Sequence, residues 1–257
     1  MQRLADILTD ARRNEHYVPG LTPELVPPDR QTAYRVQDAV SKALGWEPAG
    51  WKVAATTPDM QRRLRSAEPI YGRVFKQFIV KSPFEFSLVR LLNPLTECEF
   101  ALEIGCSLPP RTPPYSLEEV ADAVSAVYPA IEVAQCRFRN ADMPPIEGVL
   151  ADASASGHLV LGERFPDWQA CNLPNAPVTL YTGGTLRRQG TGAEAMGDPL
   201  NVVHWLANAR AAFGDGLKAG DIVSTGTCTK MIPPREGETH LADYESLGKV
   251  AVRFSAD

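Results

Sequence analysis

Glu97-Cys98-Glu99-Phe100-Ala101-Leu102-Glu103-Ile104 alternates without a break. Cys98, Phe100, Leu102 and Ile104 fall on one side, and Glu97, Glu99, Ala101 and Glu103 on the other. That is the period-two pattern of a strand with one apolar face. Glu97 and Glu99 then point the same way, about 7 Å apart, a spacing from which two carboxylates reach one cation. Further on, the apolar run Tyr128-Pro129-Ala130-Ile131-Glu132-Val133-Ala134-Gln135 carries a single acid, Glu132. A carboxylate inside such a strand is costly to bury unless a cation or a metal partners it. Two readings stay open. Alternation alone allows an ordinary amphipathic strand with its acidic face in water, and Glu103 fits that description. Ile131 and Val133, flanking Glu132, imply burial and favour a site built from Glu97, Glu99 and Glu132. With no His or Cys on their face, these three make an oxygen-only set suited to Mg²⁺ or Mn²⁺, with Ca²⁺ admissible and Zn²⁺ disfavoured.

Around this pair the chain divides by texture. Leu4–Asn14 and Asp29–Leu44 read as helices; in the second, Ala33, Val36, Val40 and Ala43 recur at helical spacing and Gly45 follows the end. Gly50–Ala54 reads as a strand, and Thr57-Pro58 as a helix cap and first position. Beyond residue 70 come short strands broken by Pro and Gly, including Tyr71–Phe75, Phe86–Leu92, Gly157–Leu161, Val178–Tyr181, Asp221–Thr225 and Leu247–Phe254. Two helices interrupt them. One opens on the capping box Ser116–Glu119, the other on Asp198-Pro199 and runs to about Phe213. The expected class is α+β: a small N-terminal helical part over residues 1–70, not an independent unit, and a strand-rich, barrel-like catalytic domain over residues 71–257.

Bulk properties exclude several functions. A chain of 257 residues with 44% hydrophobic content buries enough surface to fold without disulfides or a structural metal. A net charge of −5 with scattered Lys and Arg offers no footing for nucleic acid or an anionic membrane. Arg62, Arg63 and Arg65 read as a solvated helix face. The five cysteines form no C-x-x-C pair, which argues against a disulfide framework or zinc ribbon and points to a reducing, cytoplasmic setting. The N-terminus lacks the apolar run of a secretory signal, and no stretch is long enough to span a membrane. Gly190-Thr-Gly192-Ala-Glu-Ala195 matches a dinucleotide pattern by letters only; it follows the hairpin-like Thr182-Gly183-Gly184-Thr185 and reads as a loop. His204 reads as a packing residue.

Several segments together carry a family likeness: Gly50-Trp51-Lys52-Val53, Glu97-x-Glu99, Pro129-Ala-Ile-Glu132, Ala151-Asp152-Ala-Ser154-x-x-Gly157, Gly197-Asp-Pro-Leu-Asn201 and Ala219-Gly220-Asp221-Ile-Val-x-Thr225-Gly226. In this order and spacing they resemble the 2-keto-4-pentenoate hydratase and 4-oxalocrotonate decarboxylase branch of the fumarylacetoacetate hydrolase superfamily, from about residue 30 to the C-terminus. The resemblance implies a mixed β-sheet, barrel-like fumarylacetoacetate hydrolase C-terminal-like domain, often in homo-oligomers. It implies Mg²⁺ or Mn²⁺ on Glu97, Glu99 and Glu132, with Lys52 in the active site as a proton carrier whose pKa the dication and burial would lower. Asp152, Ser154 and Thr227 would meet the substrate. The implied activity is a hydratase-type lyase acting on a small 2-oxo or 2-hydroxydienoic acid through a metal-stabilised enolate, as in aromatic catabolism. Alternatives are a decarboxylase, a C–C bond hydrolase of the acylpyruvate type, and a catalytically weak metal-binding partner subunit. One departure bears on the choice. Hydratases of this kind carry an aspartate where Glu68-Pro69-Ile70-Tyr71-Gly72 has Ile70, leaving Glu68 as the candidate replacement acid.

Overall fold

Leu95–Ile104 and Val124–Ala134 pair antiparallel, with Glu97 opposite Glu132 and Glu99 opposite Ala130. Their apolar face, with Cys98, Phe100, Leu102, Ile104, Ile131 and Val133, enters the main core. The glutamates take the other face.

The structure, a computed structural model, describes residues 1–256. In chain order its elements are α1 (Gln2–Arg13), α2 (Arg30–Leu44), β1 (Pro48–Ala54), α3 (Pro58–Leu64), β2 (Ile70–Phe75), β3 (Ile79–Lys81), β4 (Phe84–Ser87), β5 (Leu95–Ile104), α4 (Leu117–Ala123), β6 (Val124–Ala134), α5 (Ile146–Ala151), β7 (His158–Leu161), β8 (Pro177–Thr182), β9 (Thr185–Thr191), α6 (Pro199–Phe213), β10 (Ile222–Ser224), β11 (Thr239–Asp243) and β12 (Lys249–Ser255). Seven strands form one mixed sheet in the order β2-β1-β10-β5-β6-β7-β3, and five form a second, β4-β12-β11-β8-β9. The larger sheet curls into a half-barrel. The face that carries the glutamates also carries Ala101, Ala130, Leu159, Leu161 and Ile222, a small apolar cluster of its own. The smaller sheet, α4 and α6 pack against the opposite face through the main core. A separate core gathers α1 and α2 over Phe75, Cys136 and Phe138. β1 lies inside the larger sheet between β2 and β10, so the first 70 residues supply a strand as well as helices. No helix among the described residues is long and apolar enough to cross a membrane.

Local chemistry sets the helix ends. The Asp29 side chain accepts the Thr32 N–H at 2.7 Å to start α2. Thr57 caps α3 with Pro58 at its first turn, and Ser116 and Glu119 form the reciprocal capping box of α4. Four expectations change. Ala43 is exposed and Leu44 takes the buried position. The run Phe86–Leu92 is not one strand: β4 ends at Ser87 and a 3-10 turn over Leu88–Arg90 tucks Leu91 and Leu92 inward. The stretch around Gly190 is not a plain loop; Thr185–Thr191 is edge strand β9, folded back on β8 across Gly183-Gly184. β3, β11 and α5 are additional.

Candidate active site

Register brings the acids together. Glu97 and Glu132 face each other across β5 and β6, Glu99 lies two residues along the same face, and ligand oxygens of all three fall within 4.8 Å of one another. All three are buried. Lys52, on β1, is also buried and sets its Nζ 3.3 Å from Glu132 Oε2. One ammonium against three carboxylates leaves an excess of buried negative charge. Burial, then the Glu132 charge, pushes Glu97 up to about 7 against the pull of Lys52. Glu99 is raised further by burial and both neighbouring acids, though the Ser224 hydrogen bond opposes this. Burial raises Glu132 too, and Lys52 and the Gly157 N–H partly offset it. The three carboxylates act on Lys52 in turn. Burial alone would lower its pKa, but the three carboxylates outweigh burial and raise it. A set of oxygen-only, mutually repelling acids fits a hard divalent cation.

Neighbouring groups fix these side chains. Ser224 Oγ donates to Glu99 Oε2, and the Gly226 N–H donates to the same oxygen at 2.9 Å. Tyr244, in the turn between β11 and β12, shares its hydroxyl proton between the carbonyls of Glu99 at 2.9 Å and Ala130 at 2.6 Å.

Glu132 is braced by an unusual turn. Ala153, Ser154 and Ala155 all adopt left-handed backbone conformations, with φ of 50°, 52° and 60°. Each such non-glycine residue costs about 1–2 kcal/mol, so the surroundings must hold the turn in place. Asp152, fully buried, is clamped by Arg12 at 3.0 Å and by Arg137 Nε at 2.9 Å, and accepts the Arg137 backbone N–H at 3.1 Å. Ser154 Oγ donates to the Tyr71 carbonyl at 2.7 Å, and Arg137 Nη2 donates to the Ser156 carbonyl at 3.0 Å. The turn lies directly on the sheet: a Cβ at Gly72 would sit 1.8 Å from the Ala153 oxygen, and one at Gly157 2.1 Å from the Val133 oxygen. Only glycine permits these approaches.

Of the residues singled out in the sequence, Lys52, Glu97, Glu99 and Glu132 converge. Thr227 follows Gly226 at the same end, and its Oγ1 accepts the Thr229 N–H at 3.3 Å. Asp152 and Ser154 spend the polar contacts described above on the turn. Glu68 is exposed and ion-paired with Arg30 at 3.3 Å, and it does not join the carboxylate cluster. Ile70 is buried in the main core. Sequence reasoning missed Ser224, Tyr244 and the Gly157 N–H. Ser224 was findable by the logic that found Glu132, as a polar residue directly after the apolar pair Ile222-Val223. His204 has its Nε2 2.9 Å from the Tyr115 carbonyl, a packing role. Glu103 is held by Arg164 at 2.8 Å at the rim.

Comparison with known proteins gives a consistent picture. A family model described as fumarylacetoacetate (FAA) hydrolase C-terminal matches residues 56–255. A 2-keto-4-pentenoate hydratase of Paraburkholderia phymatum is 29% identical over 99% of this chain and 97% of its own length. The TodF product hydratase of Pseudomonas putida is 30% identical over 99% and 95%. Among solved structures, the 4-oxalocrotonate decarboxylase of Pseudomonas putida, complexed with magnesium and adipate, superposes with a TM-score of 0.91 at 27% identity, covering 98% of this chain and 96% of that one. The same decarboxylase has also been solved with calcium and acetate.

Proposed function

The chain belongs to the fumarylacetoacetate hydrolase family and is an enzyme of the hydratase and decarboxylase kind; from that premise we propose that it is a divalent-metal lyase acting on a small 2-oxo or 2-hydroxydienoic acid through an enolate. The observation that carries this reading is the buried trio Glu97, Glu99 and Glu132 with one ammonium, Lys52, at 3.3 Å. Mg²⁺ or Mn²⁺ held by the three carboxylates would supply Lewis acidity toward the two oxygens of a 2-oxo acid, stabilising its enolate. Lys52, with its Nζ 3.3 Å from Glu132 Oε2, would hold a proton at Nζ for delivery to the enolate carbon. Ser224 and the Gly226 N–H hold Glu99 in a fixed orientation, and Gly157 does the same for Glu132. Thr227, next to Gly226, would receive the substrate carboxylate. Asp152 and Ser154 act by shaping the wall of the site.

A specific feature favours decarboxylation over hydration. Adding water to a diene calls for an acid or base beyond Lys52. Ile70 is apolar and buried where that group is expected, and Glu68 is engaged by Arg30 at the surface. Loss of carbon dioxide leaves its electron pair on the enolate, which then needs only a proton, and Lys52 carries one.

The test is a substrate panel followed by ultraviolet absorbance and carbon dioxide release: 2-hydroxypenta-2,4-dienoate, 4-oxalocrotonate and an acylpyruvate, each with Mg²⁺ and Mn²⁺. We expect metal-dependent turnover with release of carbon dioxide from 4-oxalocrotonate. Glu99→Gln should abolish turnover, and Lys52→Met should lower kcat by at least about 100-fold, the scale of general acid–base catalysis. Full activity in chelator-stripped protein or in Glu99→Gln refutes the metal reading. Mg²⁺ binding without turnover of any substrate would instead mark a silent partner subunit.

A further inference from the structure

On the opposite face of β6 and β7 from the glutamates lies a cavity of about 240 Å³ between α1, β4 and the start of β7. None of Lys52, Glu97, Glu99 or Glu132 lines it. Its walls include Arg12, Arg137, His158, Trp46, Phe78 and Phe86.

The charge in the wall is unbalanced. Arg12 and Arg137 are 5% and 6% exposed and share one carboxylate, the fully buried Asp152. Two guanidiniums on one acid leave a buried positive charge without a partner, which is costly unless a further anion arrives. Burial and the neighbouring Arg137 hold the Arg12 pKa down to about 10. Donors are also left over. Arg12 reaches Asp152 only through Nη2, and Arg137 uses Nε and Nη2. Arg12 Nε and Nη1 and Arg137 Nη1 therefore donate to no protein group among the described residues.

His158 adds another donor, and its tautomer follows from the network. Gln135 Oε1 accepts the Leu92 N–H at 3.0 Å, which fixes the amide. Gln135 Nε2 then donates to His158 Nδ1 at 3.0 Å, so the ring proton sits on Nε2. Burial, then Arg137, lowers His158 to about 4 and keeps this neutral form. Ser87 Oγ, in the same wall, is buried without a partner. Every unspent guanidinium and imidazole group is thus a donor, and the matching ligand must bring acceptors and negative charge. The remaining walls are aromatic. Phe78 and Phe86 lie against the His158 ring with centroids 4.9 and 4.6 Å away. At the rim, exposed Glu85 is engaged by Arg253 at 3.7 Å, and Glu15 and Arg90, one of each sign, are both exposed.

We propose that this cavity binds a small organic monocarboxylate with a flat apolar body, the carboxylate on Arg12, Arg137 and His158 and the body among Trp46, Phe78 and Phe86. It is a second site, lined by none of the carboxylate trio and adjoining it only through the turn that ends at Gly157. Its test uses the full chain stripped of metal with chelator, so that neither metal binding nor turnover enters the result. Calorimetric titration with benzoate should show binding, while benzamide, of the same shape without the charge, should not bind. Arg12→Met should weaken benzoate by about tenfold or more, the loss of one charge-assisted contact. That variant also loosens Asp152, so His158→Phe, which keeps the ring and removes the donor, gives a second reading and should weaken binding several-fold. Glu99→Gln should leave benzoate affinity unchanged. Crystals grown with 4-bromobenzoate should place the bromine anomalous peak between Trp46 and Phe86. Absence of benzoate binding, equal binding of benzamide, or a bromine peak at the glutamate trio overturns the proposal.

Discussion

Replacing Glu97 by glutamine should make the metal-free protein more stable and the metal-loaded protein less so. Glu97 is the cleanest of the three acids to change, because burial, Glu132 and Lys52 account for its shift without a hydrogen bond to lose. Two routes give the magnitude. Unit charges no more than 4.8 Å apart at an effective dielectric near 20 repel by at least about 3.5 kcal/mol. A carboxyl raised from 4.5 to about 7 resists ionisation in the folded state by about 3 kcal/mol. The buried glutamine amide gives part of this back, leaving a net gain of about 1–2 kcal/mol. At about 2–4 °C per kcal/mol for a chain of this size, Tm rises by roughly 2–8 °C. The sign depends on pH. Because the folded pKa lies above the unfolded one, the wild type has its full stability below about 4.5 and loses it as pH rises through about 7. The gain in Glu97→Gln is therefore present at pH 8 and absent at pH 5. With Mg²⁺ at about 100 times its Kd the wild type gains about 2.7 kcal/mol, which the variant should largely forfeit. Thermal unfolding of both proteins, in chelator at the two pH values and in Mg²⁺ at pH 8, reads all of this. A variant less stable than wild type in chelator at pH 8, or one that keeps the full Mg²⁺ response, refutes the picture of a repelling acid trio awaiting a cation.

Three further outcomes follow from the surroundings of the site. Gly157→Ala forces a Cβ toward the Val133 oxygen and pulls the N–H away from Glu132; we expect a loss of about 2–4 kcal/mol in urea unfolding and about tenfold weaker Mg²⁺ binding, and unchanged values would show that the turn does not brace Glu132. Tyr244→Phe leaves two buried carbonyls without their shared donor and should cost about 1–3 kcal/mol; a neutral result would mean that water replaces the hydroxyl. His158, lowered to about 4 chiefly by burial, contributes stability that is complete above about 6.5 and lost as pH falls through 4, about 3 kcal/mol in all. His158→Phe should remove that part of the acid sensitivity, visible as a smaller stability difference between pH 7 and pH 4, and identical pH profiles would contradict the buried neutral ring.

Features legible in the sequence were those written in local period or local capping. The alternation of Glu97–Ile104 gave both the strand and the shared face of two acids, because strand periodicity needs no knowledge of the partner. Glu132 was visible as an acid among apolar residues. Thr57-Pro58 and Ser116–Glu119 announced their helices because a cap satisfies its own backbone. Features decided by the partner were not legible. β9, Thr-Leu-Arg-Arg-Gln-Gly-Thr, has no apolar face and becomes a strand only by pairing with β8. Nothing in the Lys52 segment says that its ammonium reaches Glu132, since that contact depends on β10 lying between β1 and β5. The motif around Asp152 and Ser154 suggested importance but not a left-handed turn. Non-glycine residues adopt that conformation only when distant groups, here Arg12, Arg137 and Tyr71, enforce it.

Tyr244 has a consequence for ion size. Its single proton spans carbonyls on both strands that carry the acids, so the smaller sheet acts as a gauge for the separation between β5 and β6. Mg²⁺ demands oxygens at about 2.0–2.1 Å and Ca²⁺ accepts them at about 2.3–2.6 Å. The β5–β6 ladder and this shared hydroxyl together hold the backbone spacing beside the acids. The difference must be absorbed by the side-chain torsions of Glu97, Glu99 and Glu132, each with three rotatable bonds beyond its Cα. If the trio holds a cation as proposed, discrimination between ions would be a matter of rotamers on a fixed frame rather than of movement in the frame itself.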